Sequence, residues 1–515
     1  MRNSITKSTI TVTILSVLSY LFGFLAQILT AHYFGTSEDV DTFVLTSVIP
    51  FFIYGMTMAI FMNAFLYIYT EHKNKHKEED NKKIISAVFT TLLITLIVIT
   101  IIILLAAPII AKLLVLNKQQ YDLKIITRMI RILAIGAFLF GMISFSTGLL
   151  YTEKKFFSPM LLRICIGTTT IIGILLARDI LGIYVLPIAF VGGLFIATIV
   201  QYADLLYFGF RMHLSKEMFN SECRHILLLS IPILGSSFLY YLIQYIMNIL
   251  ATSFDPGSVA SLHYAYVISS FPVILIGGSF ATILLPSMTD YFVKQEIEQF
   301  EKFLETATLY IIYIMLPLSV VVVFFGQEIT TIIYGGGMFT NDASITVAGI
   351  LSIYGSGLVF SALQQVFMNT LYAMKKMKEH FFIMIIYTAT IFLLSTLFIK
   401  FLGLRGLALA YVFGTVIAVG VTLYVLFKNG INIKINYMAP YITKIFCVMI
   451  LLSIIFYELK TLFLQNLTGI YLFCGLVGTI VLGFLLYYMT TSFLGIKEGK
   501  AILNIIKQYF TKENF

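Results

Sequence analysis

The sequence predicts an all-α polytopic membrane protein of about fourteen transmembrane helices, and three observations predict it. Hydrophobic residues make up 59% of the 515 positions and charged residues only 11%, whereas a soluble globular chain is roughly 25% charged. Such a chain cannot clothe a water-facing surface, but it can clothe a lipid-facing one. Apolar runs recur along the whole length, several above the roughly 18 to 20 residues that cross a bilayer as a helix. None of them alternates apolar and polar residues with period two, as the strands of a transmembrane barrel would.

Taken in order, the apolar stretches place spans near 8–34, 41–70, 84–111, 126–152, 157–177, 180–210, 225–253, 259–289, 303–326, 344–373, 381–400, 404–427, 439–457 and 468–492. The first is too long for a cleavable signal peptide and has no small-residue cleavage site. An even number of spans puts both termini on one side. That side, with the loops that share it, collects 23 of the 34 lysines and arginines, and the opposite side has seven. The positive-inside rule makes the first face cytoplasmic. The net charge of +9 is therefore an orientation signal; no basic, aromatic surface for nucleic acid accompanies it. The four cysteines (Cys165, Cys223, Cys447 and Cys474) are scattered in or beside apolar runs. They form neither a metal-ligating pair nor a disulfide framework and read as small apolar packing residues.

The chain also repeats itself. The segment from Gly35 to Pro50, GTSEDVDTFVLTSVIP, is matched by Gly257 to Pro272, GSVASLHYAYVISSFP; Leu149 to Lys155, LLYTEKK, is echoed by Thr370 to Lys376, TLYAMKK. Both offsets are close to six spans, an even number, so the halves are parallel repeats related by an axis along the membrane normal. The expected organisation is an N-lobe at 1–210, a C-lobe at 211–430, two appended spans at 431–494 and a basic, amphipathic cytoplasmic-surface helix at 495–515. Two parallel six-helix lobes about a central cavity make a transporter architecture, worked by rocking one lobe against the other.

Polar groups inside a membrane are costly and are functional candidates. The uncharged ones are Gln27 and His32 on the first span, Asn63 on the second, Gln244 and Asn248 one turn apart on the seventh, and His263 on the eighth. Interhelical hydrogen bonding is the alternative to substrate contact for each. Arg128 and Arg131 lie one turn apart at the outer start of the fourth span, and Arg163 lies about two turns into the fifth. Facing a cavity and snorkelling to the interface are the two readings of these arginines. Glu38, Asp39 and Asp41 cluster in the first outer loop, which is too short to hold an acceptor-binding domain, and this weighs against a membrane glycosyltransferase. No Asp or Glu falls at mid-depth of the first, seventh or eighth span, where an ion-coupled drug antiporter would bind its ion. Gly335–Gly336–Gly337 lacks the Lys-Ser/Thr of a phosphate loop and reads as a flexible turn. The residues imply no catalytic centre, no metal and no cofactor.

With these segments assembled, the chain resembles the MurJ/MviN family of lipid II flippases, within the superfamily that includes drug antiporters and O-antigen flippases. SYLFGFLAQILTAHYFGTSEDVDTFVLTSVIP is similar to the family's S-R-x-L-G-F-x-R-D…FG…TDAF…P pattern, with Asp41 and Phe43 matching. DPGSVASLHYAYVISSFPVILIGGSFATILLPSMTDY is similar to its GS…YYADRL…P…G…T.LLP stretch, and YGGGMFTND resembles its RG-x-FT-x-x-D outer loop. The resemblance implies fourteen helices in two lobes, cytoplasmic termini, a bacterial plasma-membrane location and a lipid-tail groove at the last two helices. It also implies a cavity whose arginines hold a lipid-linked diphosphate. At those positions this chain carries Tyr20, Ala26, Tyr54 and Val267, and the aspartate beside one of them is Gln27.

The resulting expectation is a flippase, not an enzyme. It moves a polyprenyl-linked cell-envelope precursor, lipid II or another lipid-linked oligosaccharide, by alternating access. Gln27, His32, Asp41, Asn63, Gln244, Asn248 and His263 are expected in the cavity, and Arg128, Arg131 or Arg163 on the diphosphate. Its partners would be the lipid-linked glycan, membrane lipid and envelope-synthesis proteins. A multidrug or small-molecule exporter of the same superfamily is the alternative, and a non-transporting scaffold of an envelope-synthesis complex the third reading.

Overall fold

The computed structural model describes residues 2–75, 78–115, 120–216, 221–464, 467–496 and 498. The expected surface helix at 495–515 lies almost wholly outside these residues. The described chain is helical, with no extended strand among the described residues. In order it runs through α1 (Arg2–Phe34), α2 (Glu38–Ala59), a π-turn (Ile60–Phe65), α3 (Leu66–Lys75), α4 (Glu78–Leu114), α5 (Leu123–Thr152), α6 (Phe157–Leu181), α7 (Val185–Tyr207) and α8 (Ser221–Ala251). It continues with α9 (Ser258–Pro272), a second π-turn (Val273–Gly277), α10 (Gly278–Val293), α11 (Ile297–Phe324), α12 (Gly326–Tyr334), α13 (Asn341–Ser356), α14 (Leu358–Ala373), α15 (Met377–Leu402), α16 (Leu404–Lys428), α17 (Ile435–Leu459) and α18 (Gly469–Phe493).

Among the described residues, twelve helical segments are long and apolar enough to cross a membrane, or thirteen when α13 and α14, bent by 50° at Gly357, are joined. This count does not confirm the fourteen spans expected from hydropathy. One of the twelve segments runs 51 residues from Phe157 to Tyr207, about 75 Å of helix at 1.5 Å per residue and far beyond a bilayer core. It holds both α6 and α7. These two pack antiparallel, with Gly173 of α6 against Ala189 and Gly193 of α7 against Ile166 and Thr169.

The repeat read from sequence recurs in the backbone. Lys154 and Lys375 take left-handed φ of 56° and 57°. In both turns the next amide reaches back five residues, Lys155 to Leu150 O at 2.9 Å and Lys376 to Leu371 O at 2.8 Å. This is the Schellman closure that uses the last free carbonyls of a helix. Gly182 (φ 54°, ψ −137°) and Gly403 (φ 58°, ψ −138°) end α6 and α15 alike. Gly209 and Gly430 share φ of 84° after α7 and α16. Each pair is separated by 221 residues.

The chain divides into two compact units, Met1–Ala260 with Gly337–Phe339, and Ser261–Gly336 with Thr340–Phe515. The first unit reaches beyond the lobe boundary expected near 210 because α8 packs against α2 and α4. Its core helix is α5, whose most apolar window is 83% buried, against 17% for lipid-facing α4. Phe61, Phe65 and Phe145 stack edge-on within it, and Thr57 and Ser144 share a buried hydrogen bond of 2.8 Å. The second unit is built around α11. There α17 and α18 dock through Tyr487, whose hydroxyl donates to Tyr313 O at 2.8 Å, and through Tyr313 and Thr491, whose hydroxyls lie 2.8 Å apart. At the other end of the hairpin, Lys460 pairs with Glu328 at 2.9 Å and donates to Phe324 O at 2.8 Å.

Candidate substrate site

The first unit assembles its polar groups on a ladder between α1 and α6. Gly167 of α6 has no side chain where the backbone of Phe22 and Gly23 passes, so the two helices touch main chain to main chain. Lower on the ladder, the Ser19 hydroxyl donates to Met160 O at 2.7 Å. The register rises in the same direction on both helices, so α1 and α6 are parallel. Arg163 lies one turn before Gly167 on the same face and is thereby laid over the Tyr20 ring, its guanidinium carbon 4.4 Å from the centroid.

Helices α2 and α8 complete this corner. A methyl group on Gly55 would overlap the Tyr241 ring, so the glycine is the notch that lets α8 present that ring beside Tyr54. Phe52 packs edge-on against Phe238 and Tyr241, and Tyr54 lies on Phe140 with ring centroids 4.4 Å apart.

The first outer loop is organised by Asp41, which is fully buried. Its carboxylate accepts from Gly257 N at 2.7 Å, Ala260 N at 2.6 Å and the Tyr121 hydroxyl at 3.0 Å. Two of these donors are backbone amides at and just before the start of α9, the end of a helix that favours a negative partner. Burial, then the charge of Asp41 beside it, hold the Tyr121 phenol above its ordinary range. Two left-handed glycines permit the close approach. Gly35 (φ 61°) lies against Met338 O and Gly257 (φ 91°) against Thr36 O, and a side chain on either would overlap that oxygen.

The residues singled out from sequence fall into distinct settings. Gln27 is half-buried on α1, and Gln244 and Asn248 are half-buried one turn apart on α8. None of these three side chains has a hydrogen-bond partner among the described residues. His32 is exposed at the end of α1, edge-on to Tyr33, and its carbonyl accepts from Met338 N at 2.8 Å. Asn63 is exposed in the first π-turn and spends one amide N–H on Ala59 O of its own helix at 2.9 Å. Asp41 has its carboxylate turned onto the start of α9. His263, in the second unit, is half-buried with its ring 6.2 Å from that of Tyr264. Arg128 and Arg131 are exposed at the start of α5, with no ion pair among the described residues, and Arg163 is exposed over Tyr20.

Sequence reasoning did not single out Tyr121, Tyr241 or Gly55. A glycine inside an apolar helix is a signal of close approach, but nothing local names the ring that fills the notch.

The family model described as "Lipid II flippase MurJ" matches residues 30–507. A probable lipid II flippase MurJ of Borreliella burgdorferi is 25% identical over 434 residues, covering 84% of this chain and 85% of the relative. That of Rickettsia prowazekii is 28% identical over 365 residues, covering 67% and 69%. Among solved structures, a lipid II flippase MurJ in an inward closed conformation superposes with a TM-score of 0.78 at 20% identity, covering 94% of this chain and 98% of that one. An inward-facing MATE multidrug transporter reaches 0.66 at 15% identity, with 80% and 96% covered. The chain is thus a multi-pass membrane protein that belongs to the lipid II flippase MurJ family.

Proposed function

We propose that this chain is a flippase that carries a polyprenyl-linked cell-envelope precursor, lipid II or another lipid-linked oligosaccharide, across the bacterial plasma membrane. The observation that carries the reading is the family match over 30–507 in a chain whose helix-ending turns repeat with one backbone geometry at a constant offset. A polar headgroup cannot cross hydrocarbon unaided, and two like lobes, 1–210 and 211–430, give it a shelter that opens to one side and then the other. No covalent bond is made or broken, so the protein needs no catalytic residue.

In this reading both termini are cytoplasmic, as the lysine and arginine asymmetry requires. Gln27, Gln244 and Asn248 offer amides without partners among the described residues; His32, Asn63 and His263 are further polar edges offered to the headgroup. Asp41 fixes the first outer loop that bounds it. Arg128, Arg131 and Arg163 are the cations available to a diphosphate. The segment 431–494 supplies the lipid-facing surface along which the isoprenoid tail stays in the bilayer, and envelope-synthesis proteins are the partners such a flippase would serve.

Depletion and rescue test the reading directly. This chain replaces the essential lipid II flippase of a bacterium, and lipid II is measured in the outer leaflet. Restored growth with outward lipid II is expected. Inserted, folded protein with no outward lipid II would overturn lipid II as the cargo. A dye-efflux phenotype in the same cells would then favour the exporter reading that the MATE-like fold keeps available.

A further inference from the structure

Arg163 stands apart from the other intramembrane cations. It sits six residues into α6, about 9 Å along the axis, within an apolar segment long enough to cross the membrane. Snorkelling would draw such a side chain along its own helix toward the interface. Instead its guanidinium lies across onto α1, 4.4 Å over Tyr20, in the neighbourhood of Tyr54 on α2 and Tyr241 on α8. All four helices belong to the first unit and to membrane-crossing segments.

The hydrogen-bonding inventory of this corner is lopsided. Stacking occupies the face of a guanidinium and leaves its five in-plane N–H groups free. Among the described residues no carboxylate pairs with Arg163, and neither its N–H groups nor the hydroxyls of Tyr20, Tyr54 and Tyr241 have a hydrogen-bond partner. One cation and three phenols gathered without an anionic partner among the described residues, in a segment where unmet polar groups are costly, describe the complement of an anion. A fork of N–H donors suits a phosphate bidentately.

The sequence adds a second observation. Tyr20 and Tyr54 are the positions at which the resemblance placed two of the family's cavity arginines. In the structure the first of these tyrosines carries the Arg163 guanidinium on its ring, 4.4 Å from the centroid. We propose that Arg163 is the anion anchor of this chain, a cation relocated from α1 and α2 to α6, which takes the phosphate of a lipid-linked substrate with the Tyr20, Tyr54 and Tyr241 hydroxyls as further donors. This assignment deepens the flippase reading and rests on it.

The test uses the full chain in phosphatidylcholine nanodiscs, with undecaprenyl diphosphate, inorganic diphosphate, phosphatidylglycerol and neutral undecaprenol as separate probes. Arg163→Gln is expected to weaken undecaprenyl diphosphate at least tenfold, the scale of one charge-assisted pair, and to leave undecaprenol binding unchanged. Arg163→Lys, which keeps the charge without the fork or the stack, should fall between. Arg178→Gln, which removes the guanidinium stacked over Tyr33 near the far end of α6, should match the wild type. Moving the cation back, with Tyr20→Arg added to Arg163→Gln, should recover most of the affinity. Its melting temperature, with that of Arg163→Lys, guards against a folding defect in the glutamine variant.

Undiminished binding by Arg163→Gln, or no binding of undecaprenyl diphosphate by the wild type, would overturn the anchor. Arg163-dependent binding confined to inorganic diphosphate or to phosphatidylglycerol would overturn its assignment to the substrate. The flippase reading fails separately. Wild-type protein that binds undecaprenyl diphosphate through Arg163 yet moves no lipid II would sink the cargo and leave the anchor standing.

Discussion

The segments Gly35–Pro50 and Gly257–Pro272 share a spacing, a left-handed glycine at the head and a π-turn in the helix that follows, yet they carry opposite chemistry. At the seventh position the first has Asp41, fully buried with two backbone amides and a phenol on its carboxylate. The second has His263, half-buried beside Tyr264. The repeat has kept backbone and let side chains go. A turn answers to sterics, which permit few solutions, so Lys154 and Lys375 or Gly209 and Gly430 agree within a degree. A polar side chain answers to whatever acceptor or ligand it meets, and the halves meet different ones.

The comparison can be broken at its most unequal point. Asp41→Ala would strand the Gly257 and Ala260 amides in a buried setting, at about 1–3 kcal/mol each. The largest drop in melting temperature in detergent is expected from this substitution, while His263→Ala should cost less than about 1 kcal/mol. Equal losses would mean that the two positions play one structural role after all.

Glycine substitutions separate conformation from contact. Gly35→Ala and Gly257→Ala force a left-handed alanine and also overlap a carbonyl oxygen, so about 2–3 kcal/mol is expected for each. Gly209→Ala and Gly430→Ala have open space around the added methyl. Only the backbone term of about 1–2 kcal/mol remains, and it should be the same in both. Thermal denaturation of the four variants reads the pattern; a marked inequality between Gly209→Ala and Gly430→Ala would contradict the structural repeat.

Alkaline titration isolates the Tyr121–Asp41 bond. The folded-state phenol is raised above its ordinary value near 10. Its contribution is therefore complete below about pH 10, the value of a free phenol, and is lost as pH rises toward the folded-state value. Wild-type stability should fall more steeply above that pH than Tyr121→Phe, and parallel curves would show that this bond contributes nothing. The smallest effect is expected at Lys154→Gly and Lys375→Gly. Relief of the left-handed backbone, about 1 kcal/mol, is largely offset by the entropy of a new glycine, so each should change stability by under about 0.5 kcal/mol, alike in both halves.

Much of the fold was legible. The apolar runs located the helices because a bilayer admits only chains that satisfy their backbone internally. The repeat was visible because its turns need particular residues: Gly35 and Gly257 at left-handed φ, the Lys-Lys pairs after α5 and α14. The site was legible only in part. Arg163, Gln244 and Asn248 are candidates because polar residues in apolar runs are conspicuous, and Asp41 because it lies in an acidic outer loop, but what each touches is not legible.

The sequence by itself determined that this is a helical membrane protein of two related halves, since hydropathy and turn chemistry are local properties that each segment carries with it. Only the tertiary structure decided that Asp41 closes on the start of α9 and that Arg163 crosses from α6 to rest on Tyr20. Both outcomes depend on which helix backbones can touch, at Gly167 and Gly257, and that is a matter of packing between segments distant in the chain.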